Sequence, residues 1–375
     1  MNPRVLFLAR TRYRLPLTQT LQRRFDALSE VLDWRQLGTS LDGKAVRTDR
    51  FTLVRPFPLG PLEGAAFYAA FPARVIRELR SFRPDVVIVQ GAQDTALALL
   101  ARRVARVDVP IVYDVHGDWR NDTRVYGSPL RRMLSPLADR LAAHAVRHAD
   151  GVRTVSGFTT GLVRELGVEP IATFPAYMDL EPFTSRPPAP LPDPAEALFV
   201  GVLERYKAVD VLAAAWPQVT SALPDARLHL VGKGSLEPLV VDLVESGGGR
   251  VRWARELPTE GVARALDGAT VLVLPSRREG MGRVIVEAFC RGRAVVGSAS
   301  GGVLDLVEEG VSGLLVPVDD PDALADALVR VLGDAELAGR LGAGAHAASS
   351  DWAATPEEFA RRTRELVDRV LAGRA

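Results

Sequence analysis

The chain has 375 residues, 47% of them hydrophobic and 25% charged, which is enough material for two domains with ample cores and an ordinary globular composition. A formal net charge of +1 argues against nucleic acid as a partner, and the lone cysteine, Cys290, excludes an internal disulfide and fits a reducing compartment. No window is apolar and long enough for a signal peptide or a bilayer span, so the expectation is a cytoplasmic protein without a transmembrane segment, with peripheral membrane contact left open.

In chain order, residues 5–9 (VLFLA) read as a first buried strand, followed by a basic loop, Arg10-Thr11-Arg12-Tyr13-Arg14, and a helix around 18–29. Short strands are expected at 31–34 and 51–54, and an amphipathic helix over 67–82. The β-branched run 86–89 has the character of a parallel strand buried on both faces. Helix 95–107, strand 111–115, helix 130–148, strand 151–155, a helix at 156–166 capped by Ser156, and strand 171–174 complete a first half. Six prolines between Pro182 and Pro194 interrupt regular structure, and 181–196 reads as a linker. A second half then alternates strand and helix: strands 198–202, 227–231, 251–253, 270–274, 294–297 and 313–316, with helices at 209–222, 236–245, 259–266, 283–291 and 322–332. A last amphipathic helix is expected over 356–371. Continuous β-then-α alternation implies doubly wound parallel sheets.

The most informative stretch is 274–297, LPSRREGMGRVIVEAFCRGRAVVG: strand, glycine turn, helix, strand. Such a turn lies outside the carboxyl end of a strand, where open α/β sheets bind ligands. Glu279 lies in the turn, and Glu287 is little more than one turn into the helix. Carboxylates suit sugar hydroxyls, and the N–H groups of a helix start suit phosphate oxygens. A nucleotide-diphosphate sugar carries both kinds of group. Other loops at strand ends add candidates. Gly201 to Lys207 brings a cation suited to a diphosphate, Gly232 precedes Lys233 in a second loop, and Trp253 to Pro258 and Ser300-Gly301-Gly302 form two more. In the first half, His116 ends a strand and can hydrogen-bond a sugar or move a proton. Asp114, Asp118 and Asp122 lie near it without the histidine or cysteine partners of a zinc site, so no metal is expected. Cys290 reads as a small buried apolar residue.

Together these motifs resemble the retaining glycosyltransferases of the GT-B fold, family GT4 (glycosyl transferases group 1). The resemblance rests on Glu279-Gly280-Met281-Gly282 through Glu287-Ala288, on Gly301-Gly302 with Asp305-Leu306-Val307 and 310–316, on Gly201 through Asp210, on His116, and on 152–156. It covers the second half well and the first weakly. It implies two Rossmann-like domains facing a cleft: an acceptor-binding domain over 1–180, the linker 181–196, a donor-binding domain over 197–355, and a C-terminal helix, 356–375, crossing back to the first domain. It implies that Glu279 holds donor-sugar hydroxyls and Glu287 the ribose, and that Gly280, Met281, Gly282 and Arg283 face sugar and diphosphate. Lys207 would hold the diphosphate, the Leu257 backbone would meet the base, and His116 would contact the donor sugar near the reacting centre. The co-substrate would be a nucleotide-diphosphate sugar, with UDP preferred, transferred with retention to the hydroxyl of a small-molecule, glycan or lipid-linked acceptor, with no cofactor.

The sequence departs from the family pattern in several places. Val202 stands where an arginine is usual, with Arg205 the substitute for its charge. Residues 10–16 lack the usual glycine pair, Ala176 follows Pro175 where asparagine is usual, and Arg255 replaces a glycine. Two rival readings stand beside the transferase: a sugar-nucleotide epimerase of the same fold, and a non-catalytic sugar-nucleotide-binding partner, the latter suggested by Val202 and the missing glycine pair.

Overall fold

The computed structural model describes residues 2–57, 60–119, 135–352 and 354–374. The chain divides into two compact units, Met1–Tyr177 with Ala354–Ala375, and Met178–Ala353.

The first unit is built on eight strands: β1 (Arg4–Tyr13), β2 (Asp33–Ser40), β3 (Val46–Arg47), β4 (Phe51–Val54), β5 (Val86–Gln90), β6 (Ile111–Val115), β7 (Gly151–Thr154) and β8 (Ala172–Thr173). They lie in the order β3-β4-β2-β1-β5-β6-β7-β8, parallel except for the β3–β4 pair. Strand β5 shows why the β-branched run reads as buried on both faces. Val86 and Ile88 join a core with Phe25, Leu28 and Phe359, while Val87 and Val89 join another with Phe71, Val75 and Ala98. Strand β1 runs further than the sequence suggests. The segment read as a basic loop stays extended to Tyr13, and Arg12 and Tyr13 pair with Thr39 and Ser40 beyond an irregularity. The cause is Tyr13, buried with its ring 6.1 Å from Phe25 and 5.6 Å from Phe51.

One helical layer of this unit holds Gln19–Val31 and the C-terminal helix Pro356–Ala372. The latter belongs wholly to this unit: Phe359 contacts Phe174 and Tyr177, and Arg364 and Arg369 donate to the carbonyls of Val31 and Ile171 at 3.0 Å. The other layer holds Gly60–Phe82, Ala92–Ala105 and Ser135–His148, each packed on the next. The expected start of the last helix at 130 and the candidate Asp122 lie outside the described residues.

The second unit has six strands, β9 (Glu196–Val200), β10 (Arg227–Val231), β11 (Val251–Ala254), β12 (Val271–Leu274), β13 (Ala294–Ser298) and β14 (Gly313–Val316), all parallel in the order β11-β10-β9-β12-β13-β14. Two features differ from the sequence reading. A helix over Ala335–Ala348 was not expected. Its glycines look like helix breakers, yet a Cβ at Gly342 would stand 2.4 Å from the Gly292 carbonyl and one at Gly344 2.1 Å from the Val311 carbonyl, so they permit close packing. The proline stretch taken as a linker belongs to the second unit and contains a short helix, Glu181–Thr184. Prolines leave carbonyls without donors of their own. Arg291, almost fully buried, supplies donors to the carbonyls of Phe183, Arg186 and Pro187, and Arg293 to those of Ala189 and Pro190. Asp267 neutralises Arg291.

Candidate active site

The strand order of the second unit reverses between β9 and β12, so the crevice expected of an open α/β sheet opens at the carboxyl ends of those two strands. The candidate donor residues gather there. After β9 the chain passes Gly201 and forms a single 3-10 turn, Arg205–Lys207, which closes on Ala208 in the left-handed region, φ 52°. This turn sends the Lys207 amine to Glu279 Oε2, 2.5 Å away, and both side chains are largely shielded from solvent. Ser276 Oγ lies 3.5 Å from the same carboxylate oxygen. The structure thus brings together two residues separated by 72 positions in the chain.

Arg277 holds this arrangement and was read from sequence only as part of a charged turn. Its guanidinium grips both oxygens of Asp210 at 2.9 and 2.8 Å, reaches Asp319 at 2.6 Å, and donates to the Arg205 carbonyl. Its own N–H donates to the Tyr206 carbonyl at 2.8 Å. One side chain therefore ties the β12 loop to the β9 loop and to the segment after β14. Burial alone would raise the Asp210 pKa, but Arg277 more than reverses that and holds it below the usual carboxylate range. Arg205 itself is exposed.

The glycine turn is fixed from its other side. The Gly302 N–H donates to the Glu279 carbonyl at 2.7 Å, and Ser300 Oγ donates to the Ser276 carbonyl at 3.0 Å. A Cβ at Gly301 would stand 2.3 Å from the Glu279 carbonyl oxygen, and one at Gly302 2.6 Å from that of Gly280. Two backbones can approach this closely only through glycine. Gly282, at φ 79°, begins the helix Arg283–Cys290, whose amino end has no side-chain cap and no acid in its first turn. Glu287 projects from this helix, nearly buried, and Arg283 Nε donates to it at 2.7 Å. Burial raises its pKa and Arg283 offsets part of the rise. Met281, Val284 and Ile285 are buried beneath.

Around the rim, Gly232 at φ 149° lets the end of β10 meet that of β9: a Cβ there would stand 1.8 Å from the Gly201 carbonyl oxygen. Trp253 Nε1 donates to the Gly232 carbonyl at 2.8 Å, so the indole fixes the loop. Leu257 follows on the next loop, half-buried. Lys233 pairs with Glu256 at 2.8 Å on the exposed surface and does not join the Lys207–Glu279 cluster. Cys290 is buried, its thiol pushed up to about 11 mainly by that burial.

In the first unit, His116 ends β6. Its Nε2 lies 2.8 Å from Asp114 Oδ2 and 3.3 Å from Gln90 Nε2. Burial would raise the Asp114 pKa, but Arg153 at 2.5 Å together with His116 holds it well below the usual range. Arg153 is itself anchored on the Phe174 and Pro175 carbonyls, at 2.6 and 2.8 Å. Asp118 is buried but joins no group of three metal-ligating side chains among the described residues. Sequence reasoning missed Asp94, which is buried at the start of the helix after β5, the strand beside β1 where this sheet's order reverses. Burial pushes its carboxyl up to about 7 against the pull of Arg10, and its Oδ1 has no partner among the described residues.

Two families match the chain: Glycosyl transferases group 1 over residues 194–334 and Glycosyltransferase Family 4 over residues 31–181. The chain belongs to these group 1, family 4 glycosyltransferases, and it is an enzyme of the hexosyltransferase type with the GT-B fold. It is 30% identical to a D-inositol 3-phosphate glycosyltransferase from a Nocardioides species, across 85% of this chain and 76% of that one. Among solved structures it resembles sucrose-phosphate synthase from Thermosynechococcus elongatus (TM-score 0.80, 20% identity, 99% of this chain and 100% of that one). It also resembles Anabaena HepE in complex with UDP-glucose (TM-score 0.70, 18% identity, 99% and 100%).

Proposed function

We propose that the protein transfers a hexosyl group from a UDP-sugar to an acceptor hydroxyl, with retention of anomeric configuration. The observation that carries this reading is the Lys207–Glu279 pair beside the uncapped amino end of the helix Arg283–Cys290. A cation and a row of backbone N–H groups suit a diphosphate, and a shielded carboxylate beside them suits sugar hydroxyls. The complex of HepE with UDP-glucose supports uridine as the nucleotide. In this reading the Lys207 amine leaves Glu279 for the diphosphate as donor arrives, and Glu279 turns to the sugar. Glu287 takes the ribose hydroxyls, with Arg283 steadying it, and the backbone at Gly201, Gly232 and Leu257 borders the nucleotide. Gly280, Met281 and Gly282 line the sugar and diphosphate, and the exposed Arg205 adds positive charge at the rim. His116, oriented by Asp114, is the first unit's group for a sugar hydroxyl.

The anomeric carbon breaks its bond to the diphosphate oxygen and forms one to the acceptor oxygen on the same face. The acceptor proton passes to the departing diphosphate. Positioning and stabilisation of that leaving charge supply the catalysis. The name of the Nocardioides relative makes D-inositol 3-phosphate the first acceptor to test.

Isothermal titration of UDP into wild type and Lys207→Ala tests the donor assignment. The substitution is expected to weaken UDP about tenfold, or about 1.4 kcal/mol. Unchanged affinity in a folded variant would overturn the role of Lys207. The anomeric proton coupling of the product, read by NMR, distinguishes retention from inversion.

A further inference from the structure

The outer surface of the helical layer Ala92–Ala105 and Ser135–His148 has a composition that folding does not explain. In Ser135–His148, Ala142, Ala145 and Val146 face the core. The opposite stripe, at helical spacing, is Leu137, Arg140, Leu141, His144, Arg147 and His148, all exposed. Leu137 is 55% exposed and Leu141 41%; on the neighbouring helix Leu100 is 51% and Val104 58% exposed. Single exposed leucines are ordinary, but four large apolar side chains on two packed helices form a patch.

The patch is cationic. Arg103, Arg106, Arg140 and Arg147 are exposed, and none has an ion-pair partner among the described residues. Arg102 and Arg374, by contrast, are engaged by Asp150 and Asp108. Between the helices runs a groove of about 660 Å³, floored by Leu99, Leu100 and Val107 and bordered by Arg103, Arg106 and the stacked rings of His144 and His148, 3.9 Å apart, with one acid on its edge, Asp108, which Arg374 neutralises. The net charge of the whole chain is only +1, so this concentration is local. The groove lies by the amino-terminal ends of β6 and β7, away from His116 at the other end of β6.

We propose that this two-helix face seats the protein on an anionic lipid bilayer, with the leucines entering the interface and the arginines meeting lipid phosphates. Arginine among exposed leucines is the pattern of a surface-lying amphipathic helix, whose binding sums buried apolar area and attraction to anionic headgroups. A second copy of the chain is a poorer occupant, because a two-fold contact would set these arginines against one another. The proposal does not depend on the donor assignment.

Vesicle co-sedimentation of the full chain tests it. Phosphatidylcholine vesicles with about 30 mol% phosphatidylglycerol are expected to carry the protein down, and pure phosphatidylcholine vesicles are not. Leu137→Ser with Leu141→Ser, and separately Arg103→Glu with Arg147→Glu, are each expected to lower partitioning about tenfold. All four residues are exposed on the two helices, and circular dichroism melts confirm that the variants fold. Wild type that ignores both vesicles overturns the proposal, as do folded variants that partition like wild type. Sedimentation velocity adds a third arm: a wild-type dimer dissolved by the leucine variants, without vesicle binding, assigns the patch to self-association instead.

Discussion

Glu279 and Lys207 neutralise one another in the structure, and this pairing makes their roles separable by substitution. Glu279→Gln keeps the shape and removes the charge. If Glu279 serves the sugar and Lys207 the diphosphate, Glu279→Gln leaves UDP affinity within about twofold while lowering kcat/KM for the UDP-sugar by about 10²-fold or more. Loss of UDP affinity equal to that of Lys207→Ala would merge the two roles. Asp94 makes a different kind of statement, about stability. Its folded pKa, about 7, lies above the ordinary value of 3.8, so the folded chain holds its proton more tightly than the unfolded chain. That contribution is complete below pH 3.8 and is lost progressively as the pH rises towards 7. Asp94→Asn keeps an oxygen for the Arg10 N–H and carries no charge to lose. Its melting temperature is expected to match wild type near pH 4 and to exceed it increasingly up to pH 7, levelling off beyond. Parallel pH profiles for the two proteins would remove the burial argument.

At the scale of elements, the legible features were those written in local pattern. The run at 86–89, the strand–turn–helix at 271–290 and the β-then-α rhythm gave both sheets and the main candidate cluster, because the period of burial and the punctuation by glycine are local properties. What stayed hidden depends on partners far along the chain. Arg277 was one charge among three in a turn until Asp210, Asp319 and the Arg205 carbonyl surrounded it. Nothing local in the sequence marks Asp94, whose burial leaves one of its oxygens without a partner among the described residues. The helix Ala335–Ala348 went unread, because sequence does not show which backbone the missing Cβ of Gly342 or Gly344 makes room for. Gly302 tests this point. Its φ of −67° is one that alanine adopts freely, so Gly302→Ala acts by contact alone, pushing a methyl towards the Gly280 carbonyl and Met281 Cα. A loss of roughly 1–3 kcal/mol in denaturant unfolding is expected, with weaker UDP-sugar binding as the Glu279 turn shifts. Wild-type stability and affinity together would show that the two turns are not locked.

For the molecule as a whole, the proline segment is a strap held by two buried guanidiniums. Arg291 gives its donors to three carbonyls and to Asp267, so Arg291→Ala leaves those carbonyls unpaired and leaves Asp267 only the more exposed Arg186, 3.5 Å away. Removal of one partner from such a buried network is expected to cost roughly 3–5 kcal/mol, visible as a lowered calorimetric transition. A transition within about 1 kcal/mol of wild type would mean that the strap is held by other contacts. The segment was legible as irregular backbone, but the arginines that bind it lie about a hundred positions later.

The division of the chain into units has a consequence in time. The first unit takes its last helix, Pro356–Ala372, from residues that follow the entire second unit. On the ribosome, the second unit can reach its native contacts as soon as it emerges, while the first waits with Phe174 and Tyr177 lacking Phe359, and the carbonyls of Val31 and Ile171 lacking Arg364 and Arg369. The half of the enzyme synthesised first is therefore the half completed last.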